Sequence, residues 1–469
     1  MAAFRMNLVN RIAGLCLAAL LALIAVGCGG ASSANPGAAA AKTQIKIGDA
    51  PADSVLAFEL KITSISLSQQ GGGSVNVLST PAEIELSHLA GMVEPLAVAN
   101  APSGTYTGAS VSVSNVEVTY IPSGSSTPVE KQFALSATIT VPFNPAITLG
   151  SSASVLNFDV NLAQSLSFDA GGNVTSVNPV FSVSNSSVAP QAEQEDDDGK
   201  IDGLVGMVST VTPANGNTPA SFAITSQSGS PAQAFSVSST TEFGDGLAQF
   251  ADLKVGMMIK VDATTQTDGS LLAKEVELLE ANDGEEADGI VTATTGNPAT
   301  SLSLLVQDDL GNASANQVGT SISVNVGNAT FKSPLTDSDF SNLLQGLPFT
   351  PKFDNTTIAA GQRVEVNGAS ATPMQGSLVA NEVKLQGQAL TGTVAAPAAG
   401  STASFVLLLD ANSAFVKLTG ISSLNVYEVS ATQLKGIASV AQGAQVRVRG
   451  LLLFDGTNYQ FVAARITQP

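Results

Sequence analysis

The sequence predicts an all-β protein, with an amino-terminal β-sandwich followed by three small OB-like β-barrels that each contain a short helix. Two observations predict this class. Up to about residue 187, apolar residues recur at every second position, which is the pattern of strands with one buried face. Beyond residue 200, three short signatures return three times in the same order, which is typical of tandem domains.

The strands of the sandwich are predicted from the parity of the apolar positions. Strict alternation runs through residues 133–141 and 156–162. In a third segment, the apolar residues stand at odd positions at Val111 and Val113 and at even positions from residue 116 to 120. A shift of one residue predicts a β-bulge or a strand that crosses between sheets. Gly, Pro and Ser turns between such strands favour two packed sheets.

The three barrels are predicted from their recurring signatures. A small strand start appears at Gly206-Met207-Val208, Gly289-Ile290-Val291 and Gly392-Thr393-Val394. A strand preceded by a glycine spans residues 255–261, 360–366 and 442–448, and a third signature spans 272–276, 379–383 and 462–466. The glycine predicts a bend that a side chain would prevent. Val366 and Val448 are expected in the barrel cores, where Asp would bury an unpaired charge.

A short helical turn is predicted just before the second signature of each repeat, where it would plug the open end of the barrel. Apolar residues there are three or four positions apart: Leu247 and Phe250; Phe340, Leu343, Leu344 and Leu347; Leu434, Ile437 and Val440. The middle repeat is longer and concentrates four phenylalanines, Phe331, Phe340, Phe349 and Phe353. They either cover the core of the barrel or form a binding loop or interface.

Two acidic stretches without large apolar residues divide the chain and are predicted to be linkers. The predicted organisation is therefore a signal peptide at 1–27, a flexible tether at 28–43, the sandwich at 44–187, an acidic linker at 188–200, the first barrel at 201–280, a second acidic linker at 281–287, the second barrel at 288–387 and the third barrel at 388–469.

The charge balance limits the classes of partner. The chain holds 19 Lys and Arg against 38 Asp and Glu, a formal net charge of −19. A surface this negative repels phosphate backbones, and no basic stripe offsets it, so we expect no nucleic-acid partner.

The amino terminus has the order of an export signal. Arg5 and Arg11 precede an apolar run over residues 12–26. The segment Ala25-Val26-Gly27-Cys28 resembles the bacterial lipobox. This resemblance implies cleavage before Cys28 and acylation of that residue, so the membrane would be a partner through the lipid. Gly29 after the cysteine implies the outer membrane by the same resemblance. The alternative is a secreted protein cleaved at another small residue.

Two further resemblances concern domains. Residues 45–51, 55–67, 102–107 and 156–160 resemble an uncharacterised bacterial lipoprotein domain with a D-A-P opening and a P-x-G-x-Y segment, here Pro102-Ser103-Gly104-Thr105-Tyr106. The three repeats resemble a second uncharacterised family, often found in tandem in exported proteins. Both resemblances imply a location and a fold but no activity.

The sequence contains few of the residues that commonly act in catalysis. The chain has a single histidine, His88, which we interpret as a surface or turn residue, and its only other cysteine, Cys16, lies inside the signal. Asp49 and Asp159 are candidate carboxylates for glycoside cleavage. Asp49 before Ala-Pro is typical of an Asx-turn, and Asp159 is expected on the outward face of a strand. We therefore expect no enzymatic activity and no cofactor.

The first acidic linker offers candidate ligands for Ca²⁺, because calcium prefers carboxylate oxygens. The candidates are Glu195, Asp196, Asp197 and Asp198. Their spacing differs from that of a calcium loop, so a solvated spacer is the competing interpretation.

The sequence therefore predicts a non-enzymatic, lipid-anchored protein of the cell envelope with a binding or scaffolding role, whose partner is an envelope protein or a polysaccharide. Two alternatives are left open. One is a surface lipoprotein that captures polysaccharide or another ligand, since OB-like barrels often bind oligosaccharides. The other is a glycoside hydrolase that uses carboxylates alone.

Overall fold

The computed structural model describes residues 40–50, 52–78, 80–89, 91–190, 199–226, 232–244, 246–279, 286–309, 318–334, 342–368 and 376–469. Nearly all of its regular structure is β, as predicted. Cys28 and the acidic residues Glu195 to Asp198 lie outside the described residues, as does Phe340.

The amino-terminal domain is a sandwich of two sheets, as predicted. One sheet has the order β11-β8-β1-β5, and the other has the order β3-β2-β6-β7 with β4 also paired to β2. A hairpin, β9-β10, lies beside them. The strands are β1 Ala40–Ala50, β2 Val55–Gln69, β3 Ser74–Leu78, β4 Ala82–Glu85, β5 Val93–Pro102, β6 Gly104–Tyr120, β7 Val129–Leu149, β8 Ser154–Asn161, β9 Leu166–Phe168, β10 Val174–Val177 and β11 Phe181–Ser187.

The alternating residues face one shared core between these sheets. Phe158 and Val160 of β8 are fully buried, and Phe133 and Ile139 of β7 pack against the same cluster. The parity change in β6 is a bulge: the pairing with β7 shifts register between Ser114 and Val116. Asn115, the residue between them, has a φ of 50°, a left-handed conformation that Asn tolerates better than most residues. The predicted bulge is therefore confirmed.

The first and second repeats each close a ring of five strands. The first ring has the order β14-β13-β12-β16-β17, with β15 added to β17, and the second has the order β20-β19-β18-β22-β23, with β21 added to β23. The strands are β12 Lys200–Thr212, β13 Ser221–Ser226, β14 Gln233–Ser236, β15 Glu242–Gly244, β16 Met258–Thr265, β17 Leu271–Leu279, β18 Glu286–Gly296, β19 Ala299–Asp309, β20 Ser321–Asn325, β21 Thr330–Lys332, β22 Arg363–Gly368 and β23 Ser377–Leu385.

The third repeat is a closed barrel with the order β24-β25-β26-β28-β27. In all three repeats the ring is closed by a parallel pair between the third strand and the last strand. Val366 and Val448 are fully buried, as expected of core positions. The strands are β24 Gln388–Ala395, β25 Phe405–Leu409, β26 Ser423–Lys435, β27 Gln445–Phe454 and β28 Tyr459–Thr467.

The predicted helical turns are only partly observed. The first repeat has a 3₁₀ turn at Phe250–Asp252, whereas residues 342–346 of the second repeat form turns without a helix. In the third repeat the prediction is wrong, because Leu434 lies in β26, which ends at Lys435, and the helix, α1 at Ala414–Thr419, comes earlier. Ile437 and Val440 nevertheless pack against the barrel core. The three-residue spacing of these apolar side chains therefore reflects contacts at the end of the barrel, not a helix.

The phenylalanines of the middle repeat cover its core. Phe331, Phe349 and Phe353 all belong to the apolar cluster of the second barrel. Phe349 also stacks edge-on against Tyr427 of the third barrel, with ring centroids 4.9 Å apart. The core interpretation therefore holds for the three described phenylalanines, and Phe349 also contacts the third barrel.

Two predicted boundaries differ from the structure. Strand β1 begins at Ala40, so residues 40–43 are paired with β5 and are not tether. Strand β18 begins at Glu286, and Ala287 is fully buried opposite Val366, so the second acidic stretch ends before these residues. In both places, backbone pairing with a distant strand overrides a local composition that is typical of linkers.

Candidate ligand-binding cleft

The turn that follows β1 joins the sandwich to the third barrel. The backbone N–H of Thr391 in β24 donates to Asp53 Oδ2 at 2.8 Å, and the N–H of Ala414 at the start of α1 donates to the Asp53 carbonyl at 2.5 Å. Lys417 Nζ, one turn further along α1, donates to the carbonyl of Ile121 in the sandwich at 2.6 Å. These bonds hold α1 and β24 against the sandwich and define the wall of a cleft.

This junction cleft has a volume of about 650 Å³. That volume lies within the range of small-molecule sites, roughly 300–1,000 Å³. Most of the residues that line it are polar or charged, alanines and a proline add apolar surface, and Phe168 at the end of β9, 39% exposed, contributes an aromatic ring. The charged and amide side chains that line the cleft are Asp53, Asn161, Gln164, Asp169, Asp410, Asn412, Lys417 and Arg447.

Arg447 of β27 extends from the third barrel towards the sandwich. Its Nε atom is buried and has no hydrogen-bond partner among the described residues. The positive charge acts on the carboxyls of Asp49, Asp53 and Asp159, opposing the rise in their pKa. None of the described residues forms an ion pair with it. Arg447 is therefore a cation with unused donor capacity at the cleft.

The acids beside Arg447 have raised pKa values. Burial raises the pKa of Asp49 to about 8, against the opposing effect of the Gly91 N–H. Burial also raises the pKa of Asp53 to about 7, opposed by the Thr391 N–H. Burial raises the pKa of Asp159 as well. Near neutral pH, Asp49 is therefore mainly uncharged and Asp53 is divided between its two forms.

A smaller cavity of about 80 Å³ lies on the inner side of the same turn, and Ala52 and Asp53 line both spaces. Three buried polar atoms in its wall lack a hydrogen-bond partner within the described part of the chain: Asp49 Oδ2, Ser87 Oγ and Gln307 Oε1. A cavity of this volume holds several waters, which commonly satisfy such atoms. The inner cavity therefore has the chemistry of a hydrated space between three domains.

Asp49 and Asp159 both lie near the cleft, but neither has the predicted surroundings. Asp49 is only 3% exposed, and its Oδ1 accepts the Gly91 N–H at 2.9 Å, so the predicted Asx-turn is wrong. The side chain is held by a loop 42 residues away instead of by its own turn. Asp159 points away from the sandwich core, as predicted, but it is only partly exposed, and the charge of Arg447 in the third barrel acts on it.

His88 lies in a turn, as expected, and its side chain is partly exposed. It belongs to the 3₁₀ turn Ser87–Leu89, and its side chain is 18% exposed. Its Nδ1 lies 3.4 Å from Glu85 Oε2, and its Nε2 lies 3.6 Å from Glu94 Oε2. Burial opposes protonation, but these two neighbouring carboxylates hold the pKa of His88 well above its ordinary value.

The backbone around His88 joins the sandwich to the second barrel. Arg363 of β22 donates to the His88 carbonyl at 2.5 Å and to Asp288 Oδ1 at 2.7 Å. The imidazole itself lies between two carboxylates of the sandwich, and no serine is hydrogen-bonded to its ring in the part of the chain that the structure describes. This arrangement accounts for His88 as a structural residue.

The P-x-G-x-Y segment is structural. The Tyr106 hydroxyl donates to the Pro102 carbonyl at 2.7 Å, and the ring of Tyr106 is fully buried in the sandwich. The D-A-P opening instead leads into the turn between the cleft and the inner cavity. Sequence reasoning thus singled out two acids beside the cleft, Asp49 and Asp159, but it missed Arg447, Ser413 and Phe168, which line it. These three carry no motif and come together only through contacts between distant segments.

No group of three or more His, Cys, Asp or Glu side chains is placed to hold a metal ion within the described ranges. Among the same residues, no helix has the length and apolar character needed to cross a bilayer.

Two family models match parts of the chain. Residues 40–175, most of the sandwich, match a domain of unknown function, DUF4382. Residues 206–277, most of the first barrel, match a second domain of unknown function, DUF5666. No curated protein matches the chain.

One solved structure is similar to more than half of the chain. It is described as "drosophila Unr CSD456" and is 12% identical, with 57% of this chain and 97% of that chain covered. The TM-score is 0.13, a value at which the likeness supports no argument. The comparisons thus confirm that two stretches of the chain match uncharacterised domains, and they assign no activity to either.

Proposed function

We propose that this protein is a non-enzymatic, lipid-anchored binding protein of the bacterial cell envelope, and that the junction cleft is its ligand site. The observation that carries the proposal is the cleft itself, which combines a volume of about 650 Å³ with converging polar side chains. Binding sites for small molecules typically have this size and present a few placed polar groups.

The anchor rests on Cys28 and its lipobox-like context. Several acyl chains on one cysteine give stable attachment, because each buried methylene contributes roughly 0.8 kcal/mol and a single chain binds only marginally. Gly29, the next residue, supports the outer membrane as the destination. The sandwich and barrels would then present the cleft at the membrane surface, facing either the periplasm or the exterior.

Saccharides are the ligand class that the lining favours. Amide and carboxyl groups of Asn161, Asn412 and Asp410 can exchange hydrogen bonds with sugar hydroxyls. The exposed ring of Phe168 adds an apolar face against which a sugar ring can pack. This combination supports polysaccharide capture over a purely scaffolding role, which requires no lined cleft.

The placement of the candidate acids supports binding over hydrolysis. Glycoside cleavage requires two carboxyl groups that flank the scissile bond. Asp159 does not line the cleft, and Asp49 lines the inner cavity with one carboxyl oxygen bound to the Gly91 N–H. The two acids predicted from the sequence are thus poorly placed for a sugar chain held in the cleft.

A substitution that fills the cleft tests this proposal. Ala163 lines the cleft and is exposed, so Ala163→Trp should block the ligand without disturbing the core. Ala248→Trp, at an exposed position in the first repeat, is the matched control. The full chain, purified in detergent, would be applied to an array of immobilised oligosaccharides. We expect the wild type and Ala248→Trp to bind the same saccharides and Ala163→Trp to lose them.

Two results would count against the cleft as the ligand site. An array that stays blank with the wild-type protein would remove the saccharide proposal. Undiminished binding by Ala163→Trp would show that the saccharide is held elsewhere, for example on the face of a barrel.

A further inference from the structure

We infer that the junction cleft selects saccharides that carry an anionic group, and that Arg447 is the residue that recognises the anion. This inference rests on the proposed function, because it names the ligand class of the same cleft. Three features of the cleft support it: the unused hydrogen-bonding capacity of Arg447, the surrounding acids and a second cation.

Arg447 has donor capacity that the described residues do not use. Its Nε atom is buried without a hydrogen-bond partner, a condition that is rare and costly in folded proteins. A guanidinium presents its N–H groups in a fixed fork that matches the two oxygens of a carboxylate, a sulfate or a phosphate. An oxyanion of the ligand could accept hydrogen bonds from several of these N–H groups, whereas a neutral hydroxyl could accept fewer of them.

The neighbouring acids do not replace such a ligand. Asp53 Oδ2 accepts the Thr391 N–H at 2.8 Å, and Asp49 Oδ1 accepts the Gly91 N–H at 2.9 Å. Both carboxyls have raised pKa values because they are buried, so they are largely protonated in mildly acidic solution. These two acids therefore compensate the charge of Arg447 only weakly there, while Asp169 and Asp410, which also line the cleft, have no ion pair with it among the described residues.

Lys417 and Ser413 extend the same surface. Lys417 also lines the cleft and is held by the Ile121 carbonyl, which places a second positive charge on the wall formed by α1. Ser413, at the amino-terminal end of α1, is 1% exposed, and its Oγ has no hydrogen-bond partner among the described residues. A hydroxyl in this position can donate to an oxyanion or accept from a sugar hydroxyl.

The experiment compares a negatively charged saccharide with its uncharged ester. Isothermal titration calorimetry would measure the binding of tetragalacturonate and of its fully methyl-esterified form to the full chain in detergent. The two tetrasaccharides share their hydroxyls and differ in the carboxylate. A sulfated galactose tetrasaccharide, added as a third ligand, distinguishes a sulfate from a carboxylate as the preferred anion.

We expect the wild type to bind tetragalacturonate at least about tenfold more tightly than the methyl ester, since a charge-assisted hydrogen bond is worth more than a neutral one. Arg447→Gln should lose this preference and retain the weaker binding of the ester. Arg449→Gln is the matched control, because Arg449 lies on the same strand but does not line the cleft. This variant should keep the preference of the wild type.

The pH dependence provides an independent result. The groups that face the two acids are Arg447, Asp159, Asp410, Glu85 and the backbone N–H groups of Gly91 and Thr391. As the pH rises from 6 to 9, Asp53 and Asp49 ionise beside Arg447, while the galacturonate is already charged. Binding of tetragalacturonate should therefore weaken at high pH, and binding of the methyl ester should change little.

The possible failures can be told apart. Equal affinity for tetragalacturonate and its ester, or an unchanged preference in Arg447→Gln, would overturn the inference about the anion and leave the saccharide cleft standing. Absence of binding by all three tetrasaccharides would overturn the inference and would also count against the saccharide proposal. Tighter binding of the sulfated form, lost in Arg447→Gln, would support anion recognition and assign sulfate as the preferred group.

Discussion

The pKa values of individual acids reflect how deeply these acids are buried where the domains of this protein meet. Burial raises the pKa of Asp53 to about 7 and of Asp49 to about 8 where the sandwich meets the third barrel. Burial likewise raises the pKa of Asp308 in the second barrel to about 7, close to His88 of the sandwich. In an unfolded chain these carboxyls would have their ordinary pKa, near 3.8. Folding therefore takes up protons at the domain junctions.

The stability of the protein should consequently fall as the pH rises. Between about pH 4 and pH 8, the folded state binds more protons than the unfolded state, so the free energy of unfolding decreases with increasing pH. The contribution of these acids is complete below their unfolded pKa and is lost as the pH passes through 7 and 8. Thermal unfolding followed by circular dichroism should give a higher midpoint at pH 5 than at pH 8.

Substitution of one of these acids provides the control. Asp53→Asn keeps an oxygen for the Thr391 N–H but cannot ionise, so the midpoint should depend less steeply on pH. Asp455→Asn, at an exposed position, should leave the pH dependence unchanged. A midpoint that rises from pH 5 to pH 8 would contradict the assignment of buried, protonated acids at the junctions.

At this scale, the sequence predicted candidate acids but not their environment. The sequence predicted that the Asp49 side chain accepts a hydrogen bond within its own turn, yet it accepts one from the N–H of Gly91. Arg447 could not be found by pattern, because the acids near it belong to strands and turns almost 300 or more residues away. Local sequence signals the conformation of a few residues, whereas the electrostatic surroundings of a side chain depend on the tertiary structure.

Among the elements, the signature glycines of the barrels have a definite role. In the second signature, Gly256, Gly361 and Gly443 all have φ between 83° and 93°, as the predicted bend requires. Each donates its N–H to a valine of the first strand at 2.7–2.8 Å, namely Val208, Val291 and Val394. The same hydrogen bond therefore holds the turn that leads into the strand paired with the first strand of each repeat, namely β16, β22 or β27.

The glycines of the first signature allow two strands to approach closely. A Cβ atom at Gly289 would lie 1.9 Å from the Leu305 carbonyl oxygen, and one at Gly392 would lie 2.4 Å from that of Leu408. We therefore expect Gly289→Ala to lower the free energy of unfolding by at least about 2 kcal/mol, because backbone atoms must move to admit the methyl group. Urea-induced unfolding followed by circular dichroism would measure this change.

Gly327→Ala is the matched substitution in the same barrel. A Cβ at Gly327 would meet its nearest neighbour, Asn325 Oδ1, at an ordinary 3.5 Å, so the change should be within about 0.5 kcal/mol. If both variants unfold at the same urea concentration, the close approach of β18 and β19 is not required for the fold.

The sequence was most informative at the scale of elements. Period-two alternation and the repeated glycines predicted the strands, because both patterns record contacts within a sheet. The helix expected near Leu434, Ile437 and Val440 was wrong, since apolar spacing of three also suits residues that close the end of a barrel. Such short segments do not contain enough turns to distinguish the two structures.

At the scale of the whole molecule, the domains pack together more than the acidic linkers suggested. Leu451 and Val462 of the third barrel share an apolar cluster with the second barrel. Gln307 of the second barrel donates to the Leu56 carbonyl of the sandwich at 2.6 Å, and Thr265 of the first barrel donates to Gln44 at 3.0 Å. The sandwich is thus the common partner of all three barrels, and the cleft exists because of this packing.

The central claim for the whole molecule is that it acts at a lipid surface, held there through Cys28. The most direct test is mass spectrometry of the amino-terminal peptide of the mature protein from its membrane fraction. We predict a peptide that begins at Cys28 and carries the added mass of acyl chains, unchanged in Cys16→Ser and absent in Cys28→Ser. An unmodified Cys28, or a mature chain that begins at another residue, would contradict the claim.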